Sequence, residues 1–232
     1  MPGDMLPGTD EERSKQSRFW VKLQDAAVQN TMMLDERSVD LDAEERPEIL
    51  SYLPKTHKET DTILELGAGI GRMSLELSQH CKHLTTLDFV ETFVQEARKR
   101  LSHLDHVDFL CMDATKLECD AASMTLVFSN WLFMYLNDAE VEAMARRMIE
   151  WTQMGGHVFF RESCFHPSGN VKPTGENPTH YRDPAWYKKT FEDVRDSKGN
   201  RFEMMLHTNV KAYERLKNNP NKFVFLYKKV SA

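Results

Sequence analysis

Short apolar runs alternate with amphipathic segments along most of this chain. Apolar runs of strand length predict buried strands, and apolar positions at helical spacing predict helices. The predicted strands cover residues 62–66, 83–87, 107–112, 124–129, 156–161, 202–208 and 222–229. The predicted helices cover residues 11–30, 42–53, 71–80, 90–101 and 138–151, and another begins at Asp183-Pro184. This alternation over short connections predicts an α/β fold with a mostly parallel, doubly wound sheet.

Turn and cap signals divide the remaining segments. Residues 1–10 contain two Pro-Gly pairs and are expected to be disordered, and residues 11–232 are expected to form a single domain. Asn137-Asp138 is a start signal and Gly155-Gly156 a stop signal for helix 138–151. Residues 162–182 contain three prolines and two glycines without periodicity. Long loops in compact domains are commonly functional, so this segment is predicted to bind an acceptor and to close over it.

Three alternate glycines follow the first predicted strand. Gly67, Gly69 and Gly71 let the backbone turn tightly and approach a ligand closely before a helix begins near Arg72. Dinucleotide sites prefer the spacing G-x-G-x-x-G, whereas here the second and third glycines are two residues apart and Glu65 lies inside the strand. The pattern resembles the first motif of S-adenosylmethionine-dependent methyltransferases. The alternative is a glycine turn that serves only to pack a strand against a helix.

Acidic residues end the next two strands. Asp88 comes 21 residues after Gly67, a spacing that suits recognition of a ribose diol, although Asp88 could also cap the helix over 90–101. Asp113 could bind an adenine amino group or could be only a turn residue. Because ligands of open α/β sheets bind outside the carboxyl ends of the strands, these acids and the glycines should converge on one crevice. The predicted cofactor-binding set is Glu65, Gly67, Gly69, Gly71, Arg72, Asp88, Phe89, Asp113, Ala114 and Asn130.

Composition and charge narrow the possible partners. The net charge of −6 argues against nucleic acid or an anionic membrane as the main partner. The sequence contains no apolar run of about 18 residues and no apolar signal segment, so a cytoplasmic protein is expected. Cys81, Cys111, Cys119 and Cys164 form no C-x-x-C pair and are expected to be reduced core thiols. Histidine and cysteine spacings predict no metal site.

Five further segments carry a closer resemblance. They are Met32-Met33-Leu34-Asp35, Glu44-Glu45-Arg46-Pro47-Glu48, Phe128 to Leu136, Phe159 to His166 and Asn177 to Pro184. Together they resemble the phosphoethanolamine N-methyltransferases, especially the first methyltransferase domain of plant and nematode members. The resemblance runs from about residue 19 to the C-terminus. It implies a class I methyltransferase fold and methyl transfer from S-adenosylmethionine to the amine of phosphoethanolamine, a first step towards phosphocholine. It also implies a monomer or one part of a two-domain enzyme.

The substrate phosphate needs cations and hydroxyl donors. Arg161, Tyr181 and Arg182 are suitable, with His180 as a further candidate and Ser163 as a minor donor. Arg161 could instead pair with Glu162 or another acid. Arg182 could be only a solvated helix start beside Asp183.

The amine and the sulfonium both favour aromatic faces. Trp20, Trp131 and Tyr135 are predicted to supply them, although Trp20 could simply pack its helix on the sheet. Tyr135 is the first candidate for orienting or deprotonating the amine, and His166 and His180 are alternative bases. Single-domain relatives use a Tyr on the N-terminal helix with a His after the fourth strand. This chain has no Tyr before Tyr52, so that pair cannot be assigned here.

Two other functions remain open from the sequence. One is methylation of protein N-terminal amines, which basic residues around 161–182 disfavour. The other is a catalytically silent S-adenosylmethionine-binding domain that regulates a partner, which an intact glycine motif disfavours. A nicotinamide oxidoreductase is a more distant alternative, because the glycine spacing differs from that of dinucleotide sites.

Overall fold

The computed structural model of the protein describes residues 9–22, 33–34, 38–166 and 179–232. Within them one sheet contains β1 Thr62–Leu66, β2 His83–Asp88, β3 Val107–Cys111, β4 Met124–Asn130, β5 Thr152–Ser163, β6 Arg201–Asn209 and β7 Lys222–Val230. The helices are α1 Thr9–Lys22, α2 Ser38–Ser51, α3 Ser74–Ser78, α4 Glu91–Arg100, α5 Asp138–Trp151, α6 Pro184–Asp193 and α7 Lys211–Lys217. Short 3₁₀ turns lie at Ala114–Lys116 and Phe133–Tyr135.

The strand order is β3-β2-β1-β4-β5-β7-β6. The pairs among β1 to β5 are parallel, and β7 runs antiparallel to both β5 and β6. The predicted doubly wound, mostly parallel sheet is therefore confirmed. The order reverses between β1 and β4, which is where ligands of such sheets bind.

Apolar residues cover both faces of the sheet. Val127 and Phe160 belong to one buried cluster with residues of α5, whereas Phe128 and Phe159 belong to a second cluster with residues of α2. Because successive strand side chains point to opposite faces, a strand covered on both sides must be apolar at nearly every position. This explains why the central strands appear in the sequence as continuous apolar runs.

Several element boundaries differ from the sequence predictions. Asn137 caps α5 in a capping box with Glu140, and Asp183 caps α6 by accepting the amide of Ala185, as the start signals indicated. The predicted stop at Gly155-Gly156 is wrong, because α5 already ends at Trp151 and both glycines lie within β5. A Cβ atom at Gly156 would lie 3.0 Å from the backbone oxygens of Thr125 and Gln153, so the close approach of β4 and β5 at this irregular register favours glycine.

Other differences concern lengths. The helix predicted over 42–53 begins at Ser38 and includes Pro47, the helix predicted over 71–80 shortens to Ser74–Ser78, and α7 was not predicted. The loop predicted over 162–182 starts later, because β5 continues through Ser163. Most of that loop, residues 167–178, lies outside the described residues, as do residues 1–8 of the segment expected to be disordered and residues 23–30 of the first predicted helix.

Candidate functional site

The glycine loop follows β1 at the point where the strand order reverses. Gly67, Gly69 and Gly71 have φ angles of 72°, 56° and 76°, a left-handed conformation that other residues rarely adopt. A Cβ atom at Gly71 would lie 2.9 Å from the Cβ of Ala97 in α4. Gly71 thus serves strand–helix packing, the alternative that the sequence left open, whereas Gly67, Ala68 and Gly69 are partly exposed after the end of β1.

Asp88 at the end of β2 is tied to this loop. Its Oδ2 accepts the amide of Gly69 at 2.9 Å, and its Oδ1 accepts the amide of Val90 at 3.0 Å. Burial raises the pKa of Asp88, and these amides partly oppose the shift. Val90, rather than Asp88, is the N-cap residue of α4. Each carboxylate oxygen has a second lone pair, so the predicted contact with a ribose diol remains chemically available.

The end of β3 offers weaker indications. Asp113 Oδ1 accepts the amide and the hydroxyl of Thr115, both at 2.8 Å, so Asp113 is a turn residue that caps the 3₁₀ turn. Ala114 is buried, and Phe89 is 37% exposed at the crevice rim. Roles for these residues in binding adenine stay predictions.

Cys111, expected in the core, is exposed at the end of β3, whereas Cys81 and Cys164 are buried.

Glu65 and Arg72 support the glycine loop from beneath. Glu65 is buried and accepts hydrogen bonds from the hydroxyls of Ser74 and Thr86, while burial raises its pKa to about 7. Arg72 is 7% exposed and forms ion pairs with Asp42 and Glu45 of α2. These contacts hold the loop in place, and direct cofactor contacts by Glu65 or Arg72 stay predictions.

The raised pKa of Glu65 predicts a pH dependence of stability. Between the ordinary carboxyl pKa of 4.5 and about 7, the folded chain holds a proton that the unfolded chain has lost, so the free energy of unfolding falls as pH rises. Glu162, whose pKa burial also raises to about 7, acts in the same direction. Each group lowers the free energy of unfolding by up to about 3 kcal/mol across this pH range.

Glu65 and Glu162 together lower the free energy of unfolding as pH rises from 5 to 8. We expect this joint contribution to be about half as large in Glu65→Gln. Urea unfolding of both proteins at pH 5 and pH 8 measures it. Equal losses of stability in the wild type and the variant would contradict a raised pKa at Glu65.

The turn after β4 is held by two buried charged side chains. Glu162 accepts the amides of Phe133 at 2.7 Å and Met134 at 3.1 Å. Arg182 donates to the carbonyl of Phe133 at 2.9 Å and to that of Leu136 at 2.5 Å. Arg182 is therefore not a solvated helix start, because its guanidinium is buried against the turn. These bonds favour a supporting role for Arg182 over the predicted phosphate contact.

Tyr135 lies within this turn, and α1 covers it. The Trp20 ring meets the Tyr135 ring edge to face at 5.4 Å, and Arg13 of α1 donates to the Tyr135 carbonyl at 2.6 Å. Trp20 also contacts Phe93, so the packing role that the sequence left open is present. Burial raises the pKa of Tyr135 further above its ordinary value of 10.0. A neutral hydroxyl can orient an amine, but it is a poor acceptor of its proton.

Arg161 has an acidic partner that the sequence did not identify. Its guanidinium is fully buried and contacts Glu45 of α2 through two hydrogen bonds of 3.1 and 3.0 Å. Its Nε donates to Asn130 Oδ1 at 2.7 Å, and the guanidinium lies 3.5 Å from the centroid of the Trp131 ring. The ion-pair alternative for Arg161 is thus the one the structure shows, and one face of Trp131 already carries a cation. Direct ligand contacts by Arg161, Asn130 and Trp131 stay predictions.

Lys222 is a candidate that sequence reasoning missed. It is 2% exposed at the start of β7, and its ammonium donates to the hydroxyl of Ser163. It lies 5.5 Å from the Trp131 ring and 5.4 Å from the Tyr213 ring. Burial, reinforced by Arg161, lowers the pKa of Lys222 to about 7. No ion pair joins it to a carboxylate among the described residues, so an anionic ligand would compensate its charge. A lysine beginning the apolar run of β7 is the signal that could have revealed it.

The remaining candidates flank the crevice. The amide of His180 donates to the Met134 carbonyl at 2.7 Å, which places His180 beside the turn. His166 is exposed, and its Nε2 lies 2.7 Å from the Asn221 side-chain amide. Tyr181 is half-buried, and burial raises the pKa of its phenol. The backbone of His180 thus lies beside the turn that contains Tyr135, and roles of His166 and His180 as bases stay predictions.

Comparisons with known proteins agree with this geometry. A profile of the family described as "Methyltransferase domain" matches residues 63–156. The solved structure of phosphoethanolamine N-methyltransferase 1 from Haemonchus contortus, in complex with phosphoethanolamine and S-adenosylhomocysteine, superposes with a TM-score of 0.90 at 34% identity. It covers 100% of this chain and 51% of that chain. The chain has the class I methyltransferase fold.

The resemblance of this methyltransferase domain to the phosphoethanolamine N-methyltransferases is also confirmed. Phosphoethanolamine N-methyltransferase 1 of Arabidopsis thaliana is 44% identical over 98% of this chain and 47% of the relative. The protein of that name from Caenorhabditis elegans is 32% identical over 95% of this chain and 48% of the relative. The domain thus spans about half the length of the curated relatives it matches.

Two further observations concern the described residues of the methyltransferase domain. No helix among them is both long and apolar enough to cross a lipid bilayer. They also contain no group of three or more His, Cys, Asp and Glu side chains arranged to hold a metal ion.

Proposed function

We propose that this chain transfers a methyl group from S-adenosylmethionine to the amine of phosphoethanolamine, as the first methylation towards phosphocholine. The observation that carries the proposal is the 44% identity to a phosphoethanolamine N-methyltransferase over 98% of the chain. The buried charges described above give this similarity a chemical basis at the crevice.

The donor side fits S-adenosylmethionine. The glycine loop brings backbone close to the crevice, and Asp88 faces it with two acceptor oxygens held by Gly69 and Val90. A diol donates two hydrogen bonds, which this carboxylate can accept together. When bound, the donor would supply a methyl group on a sulfonium, and the residues of this chain would hold and orient it.

The acceptor side fits a small phosphorylated amine. The Lys222 ammonium and the Ser163 hydroxyl offer a cation and a donor for a phosphate, in a buried setting where such contacts are strong. The rings of Trp20 and Tyr135 border the crevice near the turn and favour a positively charged amine. Phosphate and amine of one small molecule could thus be held at separate points.

The amine must lose a proton before it attacks. Because its pKa lies near 10 and Tyr135 stays neutral, we propose that Tyr135 orients the amine and that His180 is the candidate acceptor of the proton. Positioning of the two reactants and exclusion of water then supply most of the rate.

Methyl transfer from labelled S-adenosylmethionine to four acceptors tests the proposal. The acceptors are phosphoethanolamine, its monomethyl and dimethyl forms, and unphosphorylated ethanolamine. We expect turnover of phosphoethanolamine without turnover of ethanolamine, and the methylated forms define how many steps the domain performs. Retained cofactor binding with no transfer to any acceptor would favour a silent binding domain or a peptide acceptor instead.

Tyr135→Phe tests the orienting role. Loss of one neutral hydrogen bond is expected to lower kcat by about tenfold and to leave the affinity for S-adenosylhomocysteine unchanged. A general base would contribute about 100-fold or more, so the size of the loss separates the two roles. Unchanged turnover would remove the Tyr135 hydroxyl from the mechanism.

A further inference from the structure

The segment Glu44-Glu45-Arg46-Pro47-Glu48 in α2 is not explained by the proposed chemistry. Each of its charged side chains has a separate partner in another element. Glu44 pairs with Arg215 on the surface, Arg46 pairs with Glu76, and Glu48 accepts the amides of Lys211 and Ala212 at the start of α7. The segment therefore joins α2 to both α3 and α7.

Glu45 is the buried centre of this arrangement. It is fully buried, and its Oε1 lies 3.0 Å from both Arg161 and Arg72. Its Oε2 accepts a second bond from Arg161 at 3.1 Å, which completes a two-pronged contact. One carboxylate thus joins two guanidinium groups that belong to different elements.

The two guanidinium groups serve opposite sides of the crevice. Arg72 directly follows Gly71, so it fixes the end of the glycine loop on the donor side. Arg161 holds the acceptor side, because its Nε bonds Asn130, its carbonyl accepts the Trp131 amide at 2.9 Å, and its guanidinium covers the Trp131 ring. Trp131 has a φ angle of 62°, a conformation that its surroundings must stabilise.

The shared oxygen makes the two sides interdependent. A shift of Arg161 that moved Oε1 of Glu45 would also change the contact with Arg72, since both guanidinium groups meet the same atom. In a buried setting neither arginine can exchange this partner for water without a large cost. Ordering of one side therefore lowers the cost of ordering the other.

We propose that Glu45 is a positioning residue that couples the donor site to the acceptor site, so that each ligand strengthens binding of the other. The inference rests on the proposed function, because it requires that both ligands bind. Thermodynamic linkage requires the strengthening to be equal in both directions. No residue in this chain of contacts needs to touch either ligand.

The test measures binding of S-adenosylhomocysteine by calorimetry with and without saturating phosphoethanolamine. In the wild type we expect phosphoethanolamine to tighten this binding by about 5- to 150-fold. In Glu45→Gln the ratio of affinities is expected to fall to about 1, while each ligand alone still binds. Glu44→Gln is the matched control, since it makes the same change one residue away at a surface ion pair, and it should keep the wild-type ratio.

Glu45→Gln leaves two buried cations short of a partner and could unfold the chain, so Arg72→Gln is the second variant. In it Asp42 keeps Arg46 at 2.9 Å and Glu45 keeps Arg161, yet the link between the sites is broken. A ratio near 1 in Arg72→Gln would support the inference. A wild-type ratio near 1, or a wild-type ratio retained in either variant, would overturn it even if methyl transfer occurs. Absence of phosphoethanolamine binding and methyl transfer in the wild type would instead overturn the proposed function, and this inference with it.

Discussion

Replacing Lys222 with Met is expected to weaken binding of phosphoethanolamine by about 10- to 100-fold and to leave the affinity for S-adenosylhomocysteine unchanged. The ammonium is buried and bonded to Ser163, and no carboxylate pairs with it among the described residues. A hydrogen bond to a charged group contributes about 1.5–3 kcal/mol, which corresponds to this range of affinities. Calorimetry on the ternary and binary complexes measures both quantities.

The pKa of Lys222 adds a second, independent result. Because the pKa is lowered to about 7, the ammonium is present below this value and is lost as pH rises above it. The affinity of the wild type for phosphoethanolamine should therefore fall between pH 7 and pH 9. Lys222→Arg keeps its charge throughout this range, so its affinity should stay nearly constant.

A substitution in the same strand controls for general effects on β7. Lys228 lies near the other end of β7 and is only partly buried. Lys228→Met should leave the affinity for phosphoethanolamine unchanged. Unchanged affinity in Lys222→Met as well would show that the phosphate is held elsewhere.

The sheet was predictable because its signals are local. Ile63, Leu64 and Leu66 are almost completely buried in β1, and helices on both faces demand such a continuous apolar run. The caps at Asn137 and Asp183 were likewise predictable, because a cap depends on residues within one turn. The glycine stop failed because Gly155 and Gly156 adapt an irregular strand, a role that the pattern alone does not separate from a helix end.

The positions of the candidate site were predictable, but the partners of its charges were not. Arg161 follows an apolar run, and the one acid close to it in sequence is its neighbour Glu162. Its actual partner, Glu45, lies 116 residues away in α2. Arg182 is similarly bound to the turn at Phe133, 49 residues earlier. Such contacts depend on how helices cross the sheet, which no local spacing encodes. The sequence therefore placed these arginines in the chain but did not reveal the distant partners that hold them, and their contacts with a ligand stay predictions.

Asp88 offers the sharpest test of the donor side, because its substitution should weaken cofactor binding strongly only if the carboxylate binds the ribose. We expect Asp88→Asn to weaken S-adenosylhomocysteine binding by about 100-fold, since an amide has one acceptor oxygen and no charge for two hydroxyls. Stability should also fall by about 1–3 kcal/mol, because the side-chain nitrogen of Asn cannot accept one of the two amides that Asp88 binds. Calorimetry and thermal unfolding of the same samples separate the two effects.

Asp108 provides the matched control for this substitution. It lies in the neighbouring strand β3, is 68% exposed, and contacts only His83 at 3.1 Å among its described ion pairs. Asp108→Asn should therefore bind S-adenosylhomocysteine as the wild type does. If Asp88→Asn also kept wild-type affinity, the carboxylate would serve only the amides of Gly69 and Val90.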